Sequence, residues 1–273
     1  MTAAHIDVRG RKVSLLEAGS GKPLIYLHGF ADVHSLTGDL HPFHRALAGS
    51  ARLIAPAHPG VGESADLEQG YGVSDVVFHT LEVIDQLGLK SFDLVGHCVG
   101  GWIAAEIAVL IPERVDRLAL IGATGLFVPG EHIADVFMHA QPDRGVDYTT
   151  LRHMLFAGND AVMAQRYFPD RRAEIDVELR RYQMLRFAST IGFKPPYLYH
   201  RSLRDRLHRA KMPATVIWGE HDHFVPCTHG EAYAQGLTGS AGRLAIVKGA
   251  GHSAPLEAPV MTARQVLALL GDP

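Results

Sequence analysis

The sequence Phe92-Asp-Leu-Val-Gly-His-Cys-Val-Gly-Gly101 decides the fold, because an apolar run leads into a turn bounded by glycines and then into a helical pattern. It predicts a strand, a sharp turn that carries Cys98, and a helix that begins at Val99. Gly96 and Gly100 lie two residues to either side of the cysteine, where a side chain would keep strand and helix apart. Such a turn presents its central side chain above the carboxyl end of a sheet, so Cys98 is the candidate nucleophile.

Two features of this turn bear on the reactivity of Cys98. The N-terminus of the following helix carries partial positive charge, which with a nearby histidine would favour the thiolate, the reactive form of cysteine. The same helix end leaves the backbone N–H of Val99 free to hold a developing oxyanion. A lone cysteine before a buried helix is also common as inert packing, so the rest of the chain has to decide between the two interpretations.

Short apolar runs alternate with longer helical patterns along most of the chain, which predicts an α/β fold with a mostly parallel sheet and crossover helices on both faces. The eight predicted strands cover residues 6–8, 13–17, 24–27, 52–55, 92–95, 115–121, 214–218 and 243–247. The predicted helices cover residues 40–47, 73–87, 99–110 and 260–270, with a further helix between the last two strands.

The alternation stops between residues 122 and 211, where helical patterns rich in aromatic residues and arginine contain no clear core strand. The strand pattern returns at residue 214, so this stretch is interpreted as an insertion over one face of the sheet and not as an independent domain. We therefore expect residues 1–123 and 212–273 to form the core domain and residues 124–211 to form a helical cap.

Composition excludes several classes of function. The chain has 273 residues, a net charge of −3 and no long basic run, so we expect no nucleic-acid partner. No apolar run approaches the roughly 18–20 residues of a membrane span, and the N-terminus lacks a signal-peptide core, which predicts a cytoplasmic protein with no membrane partner. Two cysteines do not make a disulfide scaffold. Of the 17 histidines, none belongs to a His-Glu-x-x-His pattern, and we expect neither a metal nor a cofactor.

A candidate base and a candidate acid each follow one of the last two predicted strands. His252 lies in a glycine-rich loop that could place an imidazole over the sheet. Asp222 follows the preceding strand, where its carboxylate could accept a hydrogen bond from the ring of His252 and fix its tautomer. Glu220 is the rival acid, and a solvated loop carboxylate is its simpler interpretation. We prefer Asp222 to Glu220.

A candidate oxyanion hole follows an earlier strand. The backbone N–H of Phe30, together with that of Val99, could hold the negative oxygen of a tetrahedral intermediate, and Gly29 would let a ligand approach the backbone. The oxyanion turn, the nucleophile, the acid and the histidine each come directly after a predicted strand. Because ligands bind at the carboxyl ends of strands in open α/β sheets, we expect these groups to meet at one edge.

These motifs resemble the α/β-hydrolase superfamily, and the resemblance covers nearly the whole chain. His28-Gly29 resembles its oxyanion turn, His58 to Ser64 its loop after the fourth strand, Gly96 to Gly100 its nucleophile elbow, Asp222 its acid and His252 its base. Within the superfamily the chain looks most like the capped group of meta-cleavage-product hydrolases and carboxylesterases. The resemblance implies the α/β-hydrolase fold and a hydrolase that needs no cofactor.

Cys98 departs from that pattern, since the family usually has serine there. Dienelactone hydrolases resemble this chain in using cysteine, but they lack a large cap. We expect a Cys-His-Asp triad that forms a covalent acyl-enzyme on an ester, lactone, thioester or activated carbon–carbon bond. Three alternatives stay open: an acyltransferase with the same triad, a non-catalytic small-ligand receptor on a hydrolase scaffold, and an engineered serine-to-cysteine change at position 98.

The expected partner is a medium-sized organic molecule held by aromatic and basic side chains, and the sequence leaves a homodimer open. Arg152 or Arg186 could hold a substrate carboxylate, and Tyr197 belongs to the aromatic lining of the cap. The candidate substrate-binding residues are His28, Gly29, His97, Phe127, Phe137, His153, Phe156, Arg186, Phe193 and Phe224. For each of them, packing or surface charge is the simpler interpretation.

Overall fold

The computed structural model describes residues 2–30, 32, 40–136, 148–158, 162–169, 175–194, 197–239 and 242–271. Phe137, one of the candidate substrate contacts, lies outside them. No helix in these ranges is both long enough and apolar enough to cross a membrane.

Eight strands form one sheet in the described part of the chain, in the order β1-β2-β4-β3-β5-β6-β7-β8. The first two neighbour pairs of this order are antiparallel and the other five are parallel. The predicted α/β fold with a mostly parallel eight-stranded sheet is therefore confirmed. The strands are β1 (Thr2–Val8), β2 (Arg11–Ala18), β3 (Pro23–Leu27), β4 (Arg52–Pro56), β5 (Phe92–His97), β6 (Val115–Ile121), β7 (Ala214–Gly219) and β8 (Arg243–Val247).

The predicted helices are present, with ends that differ by at most two residues. The described helices are α1 (Pro42–Ala48), α2 (Val73–Gln86), α3 (Val99–Leu110), α4 (Thr149–Leu155), α5 (Val162–Tyr167), α6 (Ile175–Gly192), α7 (Leu203–Arg206), a 3₁₀ turn (Leu207–Arg209), α8 (Cys227–Gly236), α9 (Ala254–Glu257) and α10 (Pro259–Leu270). Gly88 ends the α2 region with a φ of 67°, a conformation that glycine adopts without strain.

Alternate residues of the central strands pack into two different cores. In β3, Ile25 and Leu27 belong to the core beneath α2 and α3, whereas Leu24 and Tyr26 belong to the core beneath α1 and α10. This alternation follows from the two-residue period of a strand, and it requires helices on both faces. Residues 99–109 of α3 are buried all round, as its continuous apolar sequence predicts.

The sheet order reverses beside β3, which positions the site. The chain passes from β3 to β4 on one side and then crosses through α2 to β5 on the other side. The loops that follow β3 and β5 therefore diverge and leave a crevice at the carboxyl end of the sheet, the usual ligand position in open α/β folds. Helices α4 to α7 lie between β6 and β7, in a segment (residues 122–213) that we call the insertion.

Candidate active site

Cys98 occupies a strained turn between β5 and α3. Its φ of 54° and ψ of −120° lie in a region that residues other than glycine rarely adopt, at a cost of about 1–3 kcal/mol. Its backbone N–H donates to the carbonyl oxygen of Ile121 at 2.9 Å, and this bond helps to hold the turn. A Cβ at Gly96 would collide with the carbonyl of Gly100, and one at Gly100 with the carbonyl of Leu27. The two glycines are therefore required by the close approach of strand and helix.

His252 and Asp222 form a hydrogen-bonded pair beside this turn. His252 Nδ1 lies 2.8 Å from Asp222 Oδ2, and both side chains are almost fully buried. Asp222 Oδ1 accepts the backbone N–H groups of Phe224 at 3.0 Å and Val225 at 2.8 Å, which orients the carboxylate. The pair fixes the tautomer with the proton on Nδ1. His252 Nε2 is buried and has no hydrogen-bond partner in the described residues, so it can accept a proton.

Glu220, the rival acid, serves a different purpose. At the surface, its carboxylate accepts a hydrogen bond from the Lys248 ammonium at 2.7 Å and another from the N–H of Gly249 at 2.9 Å. The geometry thus supports the choice of Asp222 as the partner of His252. A Cβ at Gly122, the residue after β6, would lie 3.2 Å from the ring of His252. The pair of His252 and Asp222 therefore packs directly against the end of that strand.

The electrostatics of Cys98 differ from the expectation of a stable thiolate. Burial raises the pKa of the Cys98 thiol well above its ordinary value. Hydrogen bonds from the backbone N–H groups of Val99 and Phe30 act in the opposite direction but do not outweigh burial. Burial thus opposes the thiolate that the helix N-terminus favours, because a fully buried thiolate loses its hydration. Both expected oxyanion donors nevertheless face the sulfur.

Phe224 and Tyr197 border the reactive groups. The Phe224 ring meets the His252 ring edge-on at 4.8 Å and lies 6.1 Å from the ring of Phe30. Tyr197 comes from the insertion and is partly buried, and burial raises its pKa, with a smaller contribution from the charge that Cys98 would carry. These two aromatic side chains form an apolar part of the surroundings of the reactive groups.

A second buried His–Asp pair, whose role was not predicted from the sequence, lies next to Cys98. His97 Nδ1 lies 3.0 Å from Asp32 Oδ1, and both side chains are buried. Asp32 also accepts the Gly29 N–H at 2.7 Å and the Tyr26 hydroxyl. Asp32 follows the oxyanion turn by two residues, which was the available signal. His97 was predicted as a substrate contact, and its ring nitrogens are instead engaged within the protein.

His28 was also predicted as a substrate contact, and the structure corrects this. Its Nδ1–H donates to the carbonyl oxygen of Gly29 at 2.8 Å, and its Nε2 accepts the N–H of His58 at 3.1 Å. Both ring nitrogens therefore hold the oxyanion turn in place. Burial lowers the pKa of His28, which agrees with a neutral ring. The ring of His58 stacks on Phe187 of the insertion at 4.7 Å, so this histidine pair also contacts α6.

The two arginines predicted to hold a substrate carboxylate are engaged elsewhere. Arg152 is buried and donates from Nη1 to the carbonyl oxygen of Phe168 at 2.6 Å and from Nη2 to Thr149 Oγ1 at 3.3 Å. Arg186 forms an ion pair with Asp66. Both predictions are corrected, because each guanidinium has a partner within the protein.

Four other predicted contacts of the insertion are either exposed or packed within the protein. Phe127 and Phe193 are exposed, with 45% and 67% of their surfaces accessible. His153 is exposed and stacks on His223 at 4.3 Å. Phe156 is fully buried in the packing of the insertion. Side-chain type alone predicted these contacts, and it does not determine which way an insertion turns its residues.

Glu257 connects the insertion to the histidine loop, and no sequence pattern pointed to it. Its Oε1 accepts the N–H of Ala157 at 2.8 Å, and its Oε2 accepts the N–H of Gly251 at 2.9 Å. Two residues after Gly251, the N–H of Ser253 donates a further hydrogen bond of 2.8 Å to the carbonyl oxygen of Leu155. The loop that carries the base is thus attached directly to α4 of the insertion.

Across the described ranges, no group of three or more histidine, cysteine, aspartate or glutamate side chains is arranged to hold a metal ion.

Comparisons with known proteins agree with this architecture. A family model described as alpha/beta hydrolase fold matches residues 22–259. The chain is 31% identical over 277 positions to the dihydrolipoyllysine-residue acetyltransferase component of the acetoin cleaving system of Pseudomonas putida, across 97% of this chain and 68% of that protein. It is 36% identical over 126 residues to a 2-hydroxymuconate semialdehyde hydrolase of Pseudomonas sp. strain CF600, across 46% and 44% of the two chains. A solved mutant of the meta-cleavage product hydrolase CumD shares the fold, with a TM-score of 0.80 at 20% identity over 99% of this chain and 98% of that one.

Proposed function

Because the chain belongs to the α/β-hydrolase family of enzymes, we propose that it cleaves an ester, lactone, thioester or activated carbon–carbon bond through Cys98, His252 and Asp222. Cys98 is the nucleophile, His252 the general base and acid, and Asp222 the residue that orients the imidazole. The backbone N–H groups of Phe30 and Val99 form the oxyanion hole. The insertion acts as a cap over the site and restricts which substrates reach it.

The reaction has two halves. In the first, Cys98 Sγ bonds to the substrate carbonyl carbon as His252 Nε2 takes the thiol proton, and the oxyanion is held by the two N–H groups. The intermediate collapses, and the leaving group departs with the proton from His252. In the second, water attacks the thioester as His252 Nε2 takes a proton from it. Collapse breaks the carbon–sulfur bond, releases the acid and returns the proton to Cys98.

The observation that carries this proposal is the 2.8 Å bond between His252 and Asp222, which leaves Nε2 of a buried imidazole without a partner in the described residues. Such a base can take the proton of the buried Cys98 thiol, which stays protonated because its pKa is raised. Proton transfer and attack on the carbonyl are therefore coupled, since a thiolate formed beforehand would be poorly solvated.

The test is p-nitrophenol release from short-chain p-nitrophenyl esters by the parent protein, Cys98→Ala, Cys98→Ser and Cys227→Ala, with mass spectrometry of the protein. Cys227 is the other cysteine and is partly buried, which makes it the matched control. We expect an acyl adduct on the parent and on Cys227→Ala, and none on Cys98→Ala. An adduct that persists in Cys98→Ala, or no reaction of the parent with any ester, would overturn the proposal.

A second candidate is acyl transfer to a thiol or amine acceptor, and the similarity to the acetyltransferase component favours it. A cysteine thioester reacts readily with thiols and amines, so the same intermediate serves both reactions. The ester experiment separates the two when dithiothreitol or an amine is added during turnover. Acceleration with formation of the acylated acceptor indicates a transferase. If the added acceptor changes neither the rate nor the product, the protein is a hydrolase.

A further inference from the structure

We propose that Asp32 and His97 form a second His–Asp pair, which positions both the catalytic histidine loop and the oxyanion turn for reaction at Cys98. Neither side chain is assigned a contact with substrate, so both are positioning residues. This inference builds on the proposed function of Cys98 and His252.

His97 connects the nucleophile strand to the base. It is the last residue of β5 and immediately precedes Cys98. Its Nε2–H donates to the backbone carbonyl oxygen of His252 at 2.9 Å, and the two rings lie 5.2 Å apart. The backbone of the base is thereby held at a fixed distance from the residue beside the nucleophile.

Asp32 connects the same histidine to the oxyanion turn. Its Oδ1 lies 3.0 Å from His97 Nδ1 and accepts the N–H of Gly29 at 2.7 Å, while its Oδ2 accepts the hydroxyl of Tyr26. Gly29 precedes Phe30, the residue whose N–H faces the sulfur. The carboxylate of Asp32 therefore holds the N–H of Gly29, and the ring of His28 holds the carbonyl oxygen of Gly29. Together they orient the N–H of Phe30.

The double role of His97 requires a proton on each ring nitrogen. A neutral imidazole has one N–H and could serve either Asp32 or the carbonyl of His252, but not both. Burial alone would lower the pKa of His97, but the charge of Asp32, 3.0 Å from Nδ1, and the hydrogen bond to the carbonyl oxygen of His252 together outweigh burial and raise it. The pKa of Asp32 is lowered despite burial, chiefly by His97. Among the described residues, the other titratable groups that interact with this pair are Tyr26, His28, His41, His44, Cys98 and Asp222.

A buried ion pair is weak evidence for a gain in stability, because the loss of hydration offsets the attraction between the charges. A positioning role explains better than a stabilising one why this pair joins the turn that carries Cys98, the histidine loop and the oxyanion turn. Asp93 offers a contrast within the same strand. Its buried carboxylate pairs with Lys22 at 2.9 Å and Arg117 at 3.3 Å at the start of β5, away from the site.

The experiment measures the acylation rate of Cys98 by p-nitrophenyl acetate against pH in the parent, Asp32→Asn, His97→Gln and Asp93→Asn. We expect the parent to lose rate as the pH rises through the raised pKa of His97 and this ring loses its proton. Asp32→Asn should lower the maximal rate by about 10²-fold, as loss of positioning does, and move that decline to lower pH. His97→Gln should lose a similar factor and lack this decline. Asp93→Asn should lower the melting temperature without changing the profile.

Imidazole NMR titration of the full chain gives a readout that needs no substrate. The His97 signal should titrate above the ordinary pKa of histidine in the parent and at lower pH in Asp32→Asn. If the parent is not acylated, the proposed function fails, whereas this titration still tests the pair. An acylation profile that is the same in Asp32→Asn and Asp93→Asn, or a His97 titration that Asp32→Asn does not shift, would overturn the inference. Where a variant unfolds, its mild counterpart Asp32→Glu is measured in the same way.

Discussion

At the scale of single residues, reactivity is decided by what surrounds each group and not by its type. Asp222 and Glu220 are two positions apart, yet the former is buried against His252 and the latter binds Lys248 on the surface. The same contrast applies to Cys98. Its position at a helix N-terminus favours the thiolate, but its burial disfavours the thiolate more strongly.

The two carboxylates give a matched pair of variants. Asp222→Asn should lower the acylation rate on the order of 10⁴-fold, because an amide stabilises neither the tautomer nor the imidazolium. Glu220→Gln removes a similar charge nearby and should change the rate less than threefold. The measurement is the burst rate with p-nitrophenyl acetate. Equal losses in both variants would contradict the assignment of Asp222.

At the scale of elements, the site is assembled where loops from different strands are bonded to one another. Glu257 accepts N–H groups from Ala157 of the insertion and Gly251 of the histidine loop. Burial raises the pKa of this carboxyl, and the two N–H groups oppose the rise only in part. A movement of α4 would therefore be transmitted to the base.

Glu257→Gln tests this connection. The amide keeps one acceptor oxygen and turns a donor toward the other N–H, so one charge-assisted hydrogen bond worth roughly 1.5–3 kcal/mol is lost. We expect kcat/KM to fall about tenfold. As the pH falls, the parent should lose activity when Glu257 takes up a proton, at a higher pH than the pKa of an ordinary glutamate would predict. Glu257→Gln should not show this loss. The exposed Glu68→Gln is the control, and a parent profile unchanged by Glu257→Gln would refute the idea.

At the scale of the whole molecule, one sheet separates two cores, and buried histidines on both sides link its stability to pH. His44 on α1 is buried beside Tyr26, with ring centroids 4.8 Å apart. Burial lowers the pKa of His44 to about 4. The folded protein thus holds this ring neutral at a pH where the unfolded chain protonates it.

Stability should consequently fall as the pH drops from about 6.5, the ordinary pKa of histidine, toward 4. The direction follows from the lowered folded-state pKa, since the unfolded chain binds the extra proton. The contribution of His44 over this window is about 3 kcal/mol. Urea unfolding at pH 7 and pH 4.5 should show a smaller pH dependence for His44→Leu than for the parent, whereas the exposed His208→Leu should match the parent. A pH dependence unaltered in His44→Leu would contradict this account.

The sequence by itself determined the strands, the helix after Cys98 and the order of the motifs, because these depend on local periodicity and on glycines at close backbone contacts. It also predicted which loops would meet, since the carboxyl ends of parallel strands share an edge. Only the tertiary structure decided that Asp32 reaches His97, that Glu257 joins two loops, and that Arg186 pairs with Asp66. These contacts join segments that sequence spacing does not relate. Burial, which sets the protonation of Cys98, likewise depends on every element packed around it.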